Sequence, residues 1–234
     1  MDVFNHSLNR RSLCKLGAAL ALSGDWFWQS KPAGAAELPP TDQQISPEAA
    51  LTRLMAGNQR FNQYRPQHPD QSRLRLVEVA QTQHPFATIL SCADSRVPAE
   101  LLFDQGIGDL FDVRIAGNIA TPEAIGSIEY AVVLLGTPLL MVLGHERCGA
   151  VTAAVENKVL PDHICTLVQA IQPAVERVKA QPGNPIENAV TANVQYQIEQ
   201  LQRSPLLAER LQSGQLKIVG GRYDLDTGSV TIVA

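Results

Sequence analysis

The chain has 234 residues, enough for one domain with a full core. Apolar residues make up 45% of it and charged residues 18%, a globular composition that excludes a disordered chain. A net charge of −4 with no basic cluster argues against nucleic acid as a partner.

The amino terminus reads apart from the rest. Asn9-Arg10-Arg11-Ser12-Leu13-Cys14-Lys15 precedes a short apolar stretch, Leu16 to Leu22, and Ala33-Gly34-Ala35 offers a small-x-small cleavage pattern. Residues 1–35 together resemble a twin-arginine export signal, which implies delivery to the bacterial periplasm or an equivalent lumen. A chance arginine pair in a tail is the competing account, and Asp25 interrupts the apolar region. The stretch is too short for a stable membrane span, which takes about 20 residues. Residues 36–45, with Leu38-Pro39-Pro40, read as a linker, and residues 46–234 as a single α/β domain.

Ser46-Pro47-Glu48 is a helix start, with Ser as N-cap, Pro at the first position and an acid at the positive end of the dipole. Leu51, Leu54, Met55 and Phe61 follow at helical spacing, a face that suits either the core or a partner subunit. The polar stretch Asn62–Asp70 ends this helical arm. Strands are expected at 86–90, 110–115 and 138–143, a short helix at 98–104, a helix from Thr121-Pro122-Glu123 to about Leu135, and another opening at Cys148. Such alternation predicts a mainly parallel sheet flanked by helices. Pro173 is expected to break or kink the helical stretch Cys165–Lys179. Helices follow over 188–202 and from Ser204-Pro205 to Gly214, and 216–223 with 229–233 form an antiparallel hairpin at one sheet edge.

The chemistry gathers at two strand ends. Cys92, Asp94 and Arg96 follow the first strand, and His145 and Cys148 follow the third. In parallel α/β sheets those ends line the binding crevice, so the two clusters face each other if the strands are neighbours. Two thiols and an imidazole suit zinc in tetrahedral geometry, and three protein ligands leave a fourth position free. Taken singly, a cysteine after a strand is as readily a small buried hydrophobe. Cys14 leaves with the export signal, so Cys92, Cys148 and Cys165 remain, an odd number and a poor disulfide framework. His163 and Cys165 are the candidates for closing such a site, and no feature of the sequence brings them to the crevice.

Cys92-x-Asp94-x-Arg96 with His145-x-x-Cys148-Gly149 resembles the β-class carbonic anhydrases. The similarity extends through Phe103-Asp104-Gln105-Gly106-Ile107-Gly108-Asp109-Leu110-Phe111, Val113-Arg114-Ile115-Ala116-Gly117-Asn118, Gly126–Val132 and Lys217–Gly228, and so runs from about Ser46 to the carboxyl terminus. Glu146-Arg147 departs from the pattern, where many members carry small or uncharged residues.

The resemblance implies zinc-dependent, reversible hydration of carbon dioxide to bicarbonate and a proton by a zinc-bound hydroxide. One Zn²⁺ would be held by Cys92, His145 and Cys148, with an Asp94–Arg96 dyad assisting. It also implies a homodimer or higher homo-oligomer, and an off state in which Asp94 leaves Arg96 for the metal at lower pH. Gly149 is the candidate for binding a substrate oxygen through its N–H. Gln105 and Asn118 are candidates for lining the crevice, with loop structure as the competing account for both. Hydrolysis of carbon disulfide or carbonyl sulfide on the same fold, and non-catalytic binding of zinc or bicarbonate, are the alternative functions.

Overall fold

The computed structural model describes residues 45–234. The export signal expected over 1–35 and all but the last residue of the 36–45 linker lie outside the described residues.

The elements in chain order are α1 (Pro47–Asn62), α2 (Arg73–Val79), β1 (Ala87–Ser91), α3 (Ala99–Leu102), β2 (Leu110–Arg114), α4 (Pro122–Glu129), β3 (Leu139–His145), α5 (Gly149–Val155), α6 (Ile164–Val178), α7 (Pro185–Gln202), α8 (Pro205–Gln212), β4 (Lys217–Tyr223) and β5 (Val230–Ile232). A π-helical turn, Tyr130–Leu134, continues α4. Local chemistry starts four of the helices in the same way. Ser46, Thr121, Asn184 and Ser204 each accept a hydrogen bond from a first-turn amide, and each precedes a proline, whose missing N–H costs nothing at that position.

The five strands lie in the order β2-β1-β3-β4-β5, with every pair parallel except β4 with β5. This is the expected parallel sheet with an antiparallel hairpin at one edge. Side chains alternate across it with period two. Leu139, Met141 and Leu143 of β3 join Ala87 and Ile89 of β1 under α1, and Leu140 and Val142 join Leu90 under α4, α7 and α8. Burial on both faces explains why β3 is apolar along its run, with all seven residues buried. Leu54 of α1 is fully buried, and Leu51, Met55 and Phe61 pack against the first of these clusters, so this face serves the core.

Two elements depart from expectation. α2 was not foreseen. It is capped by Ser72 but buries none of its residues, so no apolar stripe marks it. The break at Pro173 does not occur, and α6 runs through it from Ile164 to Val178. One lost backbone bond is outweighed there by the burial of Ile171, Ala174 and Val175. Among the described residues no helix is long and apolar enough to cross a membrane.

Candidate metal centre

β1 and β3 are parallel neighbours, paired from Thr88 with Leu140 to Ser91 with Leu143. The chain places β2 on one side of β1 and β3 on the other, so the carboxyl ends of β1 and β3 flank the switch point where such sheets open a crevice. Cys92 follows β1 directly, His145 ends β3, and Cys148 is the N-cap of α5. Arg147, at φ 50°, turns the chain between the last two.

The three side chains converge. Their ligand atoms all lie within 4.8 Å of one another, and the two sulfurs are 4.0 Å apart. That spacing is far beyond a disulfide of about 2.05 Å. It is close to the roughly 3.8 Å that two Zn–S bonds of about 2.3 Å subtend at a tetrahedral ion. His145 is 0% exposed, Cys148 1% and Cys92 4%. His145 Nδ1 lies 2.8 Å from the Glu146 carbonyl, which can only accept, so Nδ1 carries the proton and Nε2 presents a lone pair. That Nε2 is buried and has no hydrogen-bond partner. A buried imidazole nitrogen without a partner, beside two buried sulfurs, is a donor set that fits a cation of zinc's size and softness. No fourth Cys or His joins the group among the described residues, so a tetrahedral ion held by these three would keep one position for a small molecule. Cys165 instead donates to the Asp162 carbonyl at 2.8 Å, beside His163 at the start of α6.

The two sulfurs lie within hydrogen-bonding reach of each other. The hydrogen bond from Cys148 dominates at Cys92 and, with help from His145 and the Gly117 N–H, overcomes burial and draws that thiol down to about 4. The same bond, then burial, pushes Cys148 up. Gly117 N donates to the Cys92 Sγ at 3.3 Å.

Asp94 sits beside this group, its Oδ2 3.9 Å from His145 Nε2. Arg96 grips it three ways. The Arg96 backbone N–H and Nε donate to Oδ1 at 2.9 Å each, and a terminal guanidinium nitrogen donates to Oδ2 at 2.8 Å. The Arg96 side chain beside Asp94 holds its carboxyl well below the usual carboxylate range, so Asp94 is ionised at neutral pH.

Sequence reasoning missed Arg114, which closes β2 opposite Ser91. Its guanidinium donates to the carbonyls of Cys92 at 3.2 Å and Asp94 at 2.7 Å, pinning the loop that carries both. An arginine at the carboxyl end of β2, the strand next to the crevice strand, was the available signal. The remaining candidates are placed as follows. Gly149 opens α5 directly after Cys148, and the space a Cβ would take there is open. Gln105 donates to the Phe103 carbonyl at 2.7 Å and lies against Gly57 of α1, so its partners belong to its own loop and α1. Asn118 is buried at φ 44° in the turn after Gly117. The charges of Glu146 and Arg147 are paired away. Glu146 accepts from Arg222 at 2.6 Å, and Arg147 binds both oxygens of Asp226 at 2.9 and 2.8 Å.

The family model described as carbonic anhydrase matches residues 87–230. Carbonic anhydrase 2 of Mycobacterium tuberculosis is 41% identical over 192 residues, which cover 80% of this chain and 93% of that protein. The carbonic anhydrase of Mycolicibacterium smegmatis is 39% identical with the same coverage. Among solved structures, the β-carbonic anhydrase CcaA aligns with a TM-score of 0.63 at 29% identity, over 78% of this chain and 94% of that one. A doubly wound parallel sheet, a Cys/His/Cys group at its switch point and this degree of likeness lead to one conclusion: the chain belongs to the carbonic anhydrase family, in its β class.

Proposed function

We propose that the protein catalyses the reversible hydration of carbon dioxide to bicarbonate and a proton, with zinc held by Cys92, His145 and Cys148. The observation that carries this reading is the unpartnered, fully buried Nε2 of His145 facing two buried sulfurs. Zinc bound there supplies Lewis acidity, lowering the pKa of a water ligand.

The chain's own residues supply the rest. Two thiolates offset more of a cation's charge than neutral imidazoles do, so a protein acceptor for the water's proton matters more here. Asp94 is that acceptor. Arg96 orients it and keeps it ionised, and a carboxylate so strongly stabilised aims a proton by hydrogen bonding but does not retain it, so the proton passes to solvent. Ile119 and Val151 pack with the two cysteines and offer an apolar wall to a linear, uncharged substrate. The Gly149 N–H, at the open start of α5, is the proposed donor to a substrate oxygen.

A stopped-flow hydration assay on zinc-loaded protein tests the proposal. Turnover of carbon dioxide well above the buffer rate is expected. Full zinc occupancy without such turnover would reject it, and parallel assays with carbonyl sulfide and carbon disulfide would then identify a hydrolase on the same fold.

We further propose a homo-oligomer in an exported location. β2 lies at a sheet edge, with Leu101, Ile107, Tyr130 and Leu134 exposed. Leu101 and Ile107 line one cavity with Leu110, and the Tyr130 ring lies tilted 6.2 Å from that of Phe111 of β2, which supports an apolar self-association surface along that edge. Light scattering reads the assembly, and fractionation of a native host reads the export expected from residues 1–35.

A further inference from the structure

The turn after β2 holds two successive left-handed residues, Gly117 at φ 76° and Asn118 at φ 44°. It brings the Gly117 N–H to 3.3 Å from the Cys92 sulfur. A side chain at Gly117 is strained by the positive φ, and a Cβ would stand 2.6 Å from Ile171 Cδ1, which would have to shift. A buried turn of this shape needs something to hold it, and α7 provides it. Asn193 Nδ2 donates to the Gly117 carbonyl at 2.9 Å, and Gln197 Nε2 donates to Asn193 Oδ1 at 2.9 Å. Gln197 Oε1 in turn accepts from the Ala120 N–H at 2.9 Å. The two amides stand one helical turn apart among Val190, Val194, Ile198 and Leu201, and they are 0% and 2% exposed. Burying two amides in an otherwise apolar face carries a desolvation cost that leucine and methionine would avoid, so their bonding pattern calls for a role.

We infer that Asn193 and Gln197 are positioning residues for the proposed metal centre: they fix Gly117 by its carbonyl so that its N–H stays aimed at the Cys92 sulfur and sets that sulfur's strength as a donor to the metal. The inference rests on the zinc reading above. The physical basis is that an N–H bonded to a thiolate lowers the energy of its lone pairs, and outer hydrogen bonds of this kind govern both the orientation and the electron donation of a ligand. Asn193 never touches the sulfur, so its influence passes through Gly117.

The test uses the cobalt(II)-substituted protein, whose thiolate-to-metal charge-transfer band reports the sulfur directly. Asn193→Leu removes both of that residue's bonds with little change in volume. Gln197→Met releases Asn193 Oδ1 and the Ala120 N–H but leaves the bond to Gly117. In Asn193→Leu the band is expected at lower energy, with metal affinity, by chelator competition, reduced about ten- to hundred-fold. Gln197→Met is expected to shift both in the same direction by less. Thermal unfolding of the metal-free forms is recorded alongside. An unmoved band with unchanged affinity in both variants overturns the inference, whatever happens to the melting of the metal-free protein, since a packing role alone would give that result. Failure of both variants to fold also counts against it, because the pair would then be core determinants. The absence of any charge-transfer band in wild-type cobalt protein would instead overturn the metal reading itself.

Discussion

Replacing Asp94 by asparagine removes a charge and a lone pair at a defined place. In the native arrangement Oδ1 takes two bonds from Arg96 at 2.9 Å, while Oδ2 takes one at 2.8 Å and lies 3.9 Å from His145 Nε2. In Asp94→Asn the amide oxygen can keep the two bonds at Oδ1. The amide NH2 then replaces Oδ2 and meets a guanidinium nitrogen, donor against donor, and the acceptor facing the metal centre is lost. A positioned acid–base group contributes about 10²–10⁴-fold to a rate, so kcat should fall by at least about a hundredfold. Zinc content should stay at one per chain, because Cys92, His145 and Cys148 are untouched. Stability should change little, since the Arg96 side chain of this pair is 51% exposed. The assay is stopped-flow hydration with metal content measured on the same sample. A rate within threefold of wild type, or a loss of zinc in step with the loss of rate, would refute the role assigned to Asp94.

Three further outcomes follow from the same geometry. Cys148→Ser replaces a soft donor with a poor one, and it should abolish stoichiometric zinc binding by metal analysis while circular dichroism stays native, since one buried atom changes. Gly117→Ala forces a Cβ into Ile171 at a φ of 76°, and it should lower stability by more than about 1 kcal/mol in thermal unfolding. Burial, then Glu100, pushes the Asp112 carboxyl from 3.8 up to about 7. Across that interval the folded chain holds a proton that the unfolded chain has released, so stability declines as pH rises toward 7 and stays lower above it. Asp112→Asn removes that decline. It should stabilise the protein by on the order of 2 kcal/mol at alkaline pH and scarcely at all near pH 4, read by urea unfolding at both; an equal gain at both pH values would contradict the linkage.

Much of the fold was legible because its signals are local. A short apolar run such as Leu139–Leu143 between turn signals suits a strand buried on both faces, and Ser or Thr before Pro announces a helix start at Ser46, Thr121 and Ser204. α2 stayed hidden because it buries nothing and so has no stripe to read. The helix is not broken at Pro173 because the cost of a proline is local, whereas the packing that outweighs it comes from other elements. The candidate ligands could be named from the residue types left at two strand ends, with the resemblance to a known family adding their roles.

The sequence by itself determined the candidates for chemistry: Cys92, Asp94, Arg96, His145 and Cys148 stand out by residue type and by position after a strand. Only the tertiary structure decided that β1 and β3 are neighbours, that the sulfurs stand 4.0 Å apart, and that His145 Nε2 lacks a partner. It also decided that Arg114, Asn193 and Gln197 hold the loops around them, and that Glu146, a departure from the family pattern, is matched by Arg222 on the next strand. The reason is one of range. Caps, turns and hydrophobic periods act over a few residues and are written in the chain, whereas distances between loops are set by strand order and helix packing, which residues far apart in sequence determine together.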